Sequence, residues 1–112
     1  SVEGSSAVSV DNRKAKITIT GGEYITSSSA VVFNYGSSSS HATWTVTGGH
    51  FQTGGNKIFQ TEWGSYAPAW SEILPTGYKA YYYNGSTYRD VSSASTSNTS
   101  YNNIYVSART PA

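Results

Sequence analysis

The chain contains no cysteine and no methionine. Without cysteine there is no disulfide and no thiolate-ligated zinc, so packing must hold the fold together. Charge is also scarce, at 12% of 112 residues with a net charge of +1. Binding to DNA or RNA needs Lys and Arg clustered on one face, so nucleic acid is not expected as a partner. The one basic cluster, Arg13, Lys14 and Lys16, reads as a solvated strand end. Leucine occurs once, at Leu74, and alanine and glutamate are few, which disfavours helices. No apolar run approaches the ~20 residues of a membrane-spanning helix, so no membrane span is expected. No signal peptide is seen, and the chain begins at Ser1. This suggests a mature secreted form, or a chain that has lost its initiator Met. A surface rich in Ser, Thr and Tyr and poor in Lys points to a secreted or extracellular setting.

What remains is a vocabulary of strands and turns. Ten Tyr, three Trp and three Phe supply large buried areas per residue. Thr and Tyr favour strands, while Gly, Asn and Ser favour turns. The length fits one domain over residues 1–112, with a thin core. Trp44 to Trp70 holds all three tryptophans and two of the three phenylalanines, and it reads as the centre of the domain.

Taken in order, Val2 to Val10 predicts a first strand. Lys14 to Thr20 alternates, with Ala15, Ile17 and Ile19 on one face. Gly21-Gly22 then suits a two-residue hairpin loop. Thr18–Thr26 (TITGGEYIT) is echoed further on by Thr45–Thr53 (TVTGGHFQT), which predicts two like hairpins. On this pattern Trp44, Val46 and Phe51 belong to the core. Ala30 to Tyr35 reads as a buried strand, and Lys57 to Trp63 as another. Gly64 to Pro75 reads as a loop with a helical turn. Asn84-Gly85 predicts a two-residue hairpin, with Tyr81, Tyr83, Tyr88 and the Lys79–Asp90 pair on one face. Ser92 to Ser100 reads as a long mobile loop. Tyr101 to Arg109 closes the chain as a strand, with Ile104, Val106 and Ala108 inward. The expected fold is all-β: an antiparallel β-sandwich of about nine short strands, less plausibly a barrel, without a clear helix.

Catalytic motifs are missing. There is no G-x-S-x-G, and His41 and His50 lack metal-ligand spacing. Thr53 to Lys57 (TGGNK) lacks the spacing of a phosphate loop and the helix that follows one. Glu62, His50 or His41, and Arg89 are the residue types of a metal-free ribonuclease, but low basic charge opposes that reading. Glu62 with Glu72 is the alternative pair for a glycosidase. The chain is therefore not expected to be an enzyme or to carry a cofactor or metal.

The aromatic surplus is more informative. Rigid aromatics beside Asn, Ser, Gly and Thr make a recognition surface that loses little rotamer entropy on binding. A sugar ring stacks its C–H face on Tyr or Trp, while Asp, Asn and hydroxyl groups bond its hydroxyls. Two surfaces fit: Glu62, Trp63, Tyr66 and Trp70, and separately Tyr81, Tyr83, Asn84, Tyr88 and Asp90. The expected function is that of a lectin-like carbohydrate-binding protein whose partners are glycans or glycoproteins. A homo-oligomer is expected, because free sheet edges invite pairing and weak sugar sites gain from multivalency. The alternative is an immunomodulatory, toxin-like or inhibitory defence protein acting through a protein or lipid surface.

Overall fold

The computed structural model describes residues 6–63 and 66–111. The first expected strand, Val2 to Val10, lies partly outside them. Among the described residues there are eight strands and one short helix, in the order β1 (Val8–Val10), β2 (Lys16–Ile25), β3 (Val32–Asn34), β4 (Thr43–Gln52), β5 (Phe59–Thr61), α1 (Trp70–Ile73), β6 (Lys79–Tyr83), β7 (Tyr88–Asp90) and β8 (Asn103–Ser107). The protein is all-β, with two open sheets. One has the order β1-β3-β5 and the other β2-β4-β8-β6-β7. The expected antiparallel pairing holds only for β4-β8-β6-β7, since β1-β3-β5 and β2-β4 are parallel.

The Gly-Gly pairs are not hairpin loops. Each lies inside a ten-residue strand, and the two echoed segments run side by side in one sheet. Ile17 pairs with Trp44, Thr18 with Thr45, Glu23 with His50 and Tyr24 with Phe51, all at a sequence offset of 27. The same offset recurs in the other sheet, where Val32 pairs with Phe59 and Asn34 with Thr61. The chain alternates between the two sheets as it advances, and so winds as a coil; the first pairing, Val8 with Val32, has a shorter offset of 24. The hairpin reading failed because a Gly-Gly step also suits a bulge. The register shifts between Ile19 and Glu23 mark that bulge.

Both sheets line one apolar core. Val31, Val32, Val46, Phe51, Ile58 and Ile104 are fully buried, as are Ala42 and Ala80. Trp44 meets Phe59 edge-on across the two sheets, with centroids 5.1 Å apart. Trp44, Val46 and Phe51 are core residues as the sequence indicates, and so are Ile104 and Val106, whereas Ala108 is exposed. The helical turn expected before Pro75 is α1, Trp70–Ile73, with Leu74 as its C-cap.

Two further expectations are corrected. Ser92–Ser100 is tied to the fold rather than free. Thr96 is buried, its N–H and hydroxyl both donate to the Pro68 carbonyl, and its own carbonyl accepts the Phe59 N–H at 3.1 Å. The β6–β7 hairpin turns through Asn84 to Thr87, a wider loop than the expected Asn84-Gly85 pair. The Asn84 side-chain oxygen accepts N–H bonds from Ser86 and Thr87, both at 2.9 Å, and closes this turn. Tyr83 therefore faces Tyr88, and Tyr81 faces Asp90. The register slips by two, which leaves every side chain on its expected face, because side chains alternate with period two.

Candidate functional site

The first expected set is dispersed. Trp70 is 1% exposed and packs on Phe51 and Phe59, with centroids 5.7 and 5.8 Å away. It is a core residue, so its place in a binding surface is withdrawn. The alternation that puts Phe59 inside would put Trp63 there too, but β5 ends at Thr61 and the indole is 55% exposed. The Arg13 guanidinium lies 5.0 Å from its ring centroid. Tyr66 stacks on His41 with centroids 3.4 Å apart, and its carbonyl accepts a bond from the Thr61 hydroxyl. Burial, and then the Glu72 charge, raise the Tyr66 phenol above its ordinary value.

Glu62 continues the outward row of β5 and lines a groove of about 350 Å³ on the outer face of the three-stranded sheet. The pattern of the sheet explains the groove. Val8, Val32 and Phe59 point inward, which leaves Ser9, Phe33 and Gln60 as the outward row between them. Phe33 and Tyr35 form an edge-to-face pair at 4.7 Å on the groove floor. Ser28, Ser29 and Asn56 close one end, with the Asn56 amide donating to the Ser28 carbonyl at 3.0 Å. A second hollow of about 280 Å³, lined in part by Thr61 and Tyr66, shares Gln60 with the groove.

The second expected set is assembled. On the outer face of the five-stranded sheet, Glu23, His50, Tyr105, Tyr81 and Asp90 fall in one row across all five strands. At about 4.8 Å per strand the row spans roughly 19 Å. Tyr83 and Tyr88 flank it, with centroids 4.5 Å apart, and Tyr105 lies edge-on to both. Tyr81 faces this way but is 7% exposed beneath its neighbours. Asn84 serves the turn.

The electrostatics of this face follow from its bonds. The Ser92 hydroxyl and N–H donate to Asp90, and Lys79 stands 3.3 Å away. Those bonds, with Lys79 contributing less, hold the Asp90 carboxyl below its ordinary range. Burial and the nearby Tyr88, Glu23 and Tyr83 raise the Tyr105 phenol. His50 stacks on Tyr105 at 4.0 Å. Its Nε2 donates to Asn103 Oδ1 at 2.7 Å, and its Nδ1 lies 3.3 Å from the Glu23 carboxylate. Glu62 follows β5 and His50 lies on β4, in different sheets.

Four residues here were not singled out from the sequence as binding residues: Glu23, His50, Asn103 and Tyr105. The signal for Tyr105 was available, because Ile104 and Val106 inward place it outward. Glu23 and His50 could be joined only by recognising that the echo is a pairing register. Likewise, the run Ala30–Tyr35 predicts a buried strand, whereas Phe33 and Tyr35 line the groove. No protein-family model, curated protein or solved structure matches the chain.

Proposed function

We propose that the protein binds carbohydrate in the groove over the three-stranded sheet. The observation that carries this reading is the groove itself: a hollow of about 350 Å³ with Phe33 and Tyr35 on its floor and Ser9, Asn56, Gln60 and Glu62 around them. That volume lies within the usual range for small-ligand sites, roughly 300–1,000 Å³. An aromatic floor accepts the C–H face of a sugar ring, and amide, hydroxyl and carboxylate groups on the walls bond its hydroxyls. Because Gln60 also lines the neighbouring hollow, a glycan longer than one ring has room to cross β5.

The test is a glycan array followed by calorimetry on Tyr35→Ala and Glu62→Gln, with Tyr83→Ala as a control on the other sheet. Loss of binding by the first two at unchanged melting temperature supports the groove. A blank array refutes carbohydrate binding. Loss in Tyr83→Ala alone moves the site to the tyrosine face. That face also favours a second reading, a defence or immunomodulatory protein that docks on another protein. It spans all five strands and is rich in tyrosine, as protein-recognition surfaces are rich in aromatics.

A further inference from the structure

Among the described residues the coil has one closed end and one open end. At the closed end, the free edge of β5 is covered by the Thr96 carbonyl bonded to the Phe59 N–H, and Trp70 fills the core beneath. At the other end, β1 and β2 are the terminal strands of their sheets, and no strand among the described residues pairs with their outer edges.

Three further observations separate this end from the rest. First, its inward residues are less covered than their equivalents one turn later. Val8 and Ile17 are half-buried where Val32 and Trp44 are buried, and Ala15 is half-buried where Ala42 is buried. Second, a Cβ built on Gly48 falls 2.5 Å from the Thr20 carbonyl oxygen of the preceding turn, whereas one built on Gly21 meets nothing within 4 Å. Third, Ile25, on the edge strand, is 53% exposed. The first turn therefore presents outward what the second turn presents to it: a double parallel edge, an apolar row between the edges and a glycine that leaves room for a neighbouring backbone.

We infer that this end is a stacking surface for one further β-coil of the same repeat, laid on in parallel register. The partner is defined by the interface already repeated in the protein. It pairs one strand with β1 and one with β2, covers Val8, Ala15 and Ile17, and passes its own backbone over Gly21 as Thr20 passes over Gly48. Stacked repeats are stabilised by such nearest-neighbour contacts, and a terminal repeat without a cap leaves its apolar face open. A second copy of the protein, joined edge to edge by a two-fold axis, would pair antiparallel and would not reproduce this register.

The experiment is a tandem chain in which a copy of residues 27–53 precedes Ser1. Residues 1–7 then bridge the copy to Val8, as residues 54–58 bridge Thr53 to Phe59. Amide hydrogen exchange is compared with that of the parent protein. The expected result is at least ten-fold slower exchange for edge amides of β1 and β2, with a higher melting temperature. Gly21→Ala should abolish both gains in the tandem chain while leaving the parent's melting temperature unchanged or slightly raised. A tandem chain that gains no edge protection, folded or not, overturns the inference. So does a parent protein whose edges are already protected in step with a dimer mass.

Discussion

Replacing Gly48 by alanine tests how closely the first two turns of the coil approach each other. The new Cβ would sit 2.5 Å from the Thr20 carbonyl oxygen and 3.0 Å from its carbon. A relaxed carbon–oxygen contact is about 3.3 Å, so β2 and β4 would have to separate by roughly 0.8 Å at that point. Both partners are backbone, and no side chain can rotate out of the way. Overpacking of a tight site costs about 1–3 kcal/mol, and the rigidity here places the change near the upper end, about 2–3 kcal/mol. For a domain of this size that corresponds to a fall in melting temperature of about 8–15 °C. The matched control is Gly21→Ala, the same change one turn earlier. Its Cβ meets no atom, and its φ is not positive. Alanine there should be neutral, or stabilising by up to about 1 kcal/mol through lower unfolded-state entropy. Calorimetric melts of the three proteins decide the matter. A Gly48→Ala protein that melts within two or so degrees of the parent would refute the close approach, and an equal fall for Gly21→Ala would refute the distinction between the ends.

Trp70→Ala should cost about 3–5 kcal/mol in urea unfolding, because it empties a buried site, whereas Trp63→Ala should change stability by less than about 1 kcal/mol. Asn34 is buried with neither side-chain polar atom bonded in the structure, between Val10 and Thr61 in the inward row. Asn34→Val should therefore raise stability, by about 1–2 kcal/mol, and a loss of that size in chemical denaturation would contradict the burial of unpaired polar atoms. The raised Tyr105 phenol favours its neutral form in the fold. Its contribution is complete below the ordinary tyrosine range near about 10 and is lost as pH rises through the folded-state value. In a spectrophotometric titration Tyr105→Phe should remove one late-ionising phenol and lessen alkaline destabilisation.

The sequence by itself determined the all-β class, most of the core and the faces of the tyrosine hairpin. These follow from local periodicity: alternation assigns Ile104 and Val106 inward whatever strands lie beside them, and Tyr81, Tyr83 and Tyr88 stay together even when the register slips by two. It also contained the echo of one glycine-pair segment in the other. Alternation cannot say which strand is a neighbour, and a Gly-Gly step fits a hairpin and a bulge equally well. Only the tertiary structure decided that the echoed segments pair in parallel with each other. That pairing carries Glu23 to His50, leaves Phe33 and Tyr35 on an outer groove rather than in the core, and buries Trp70 as part of the closed end. Neighbours so far apart along the chain are chosen by the cooperative packing of a whole turn of the coil on the next, and no local window of sequence contains that information.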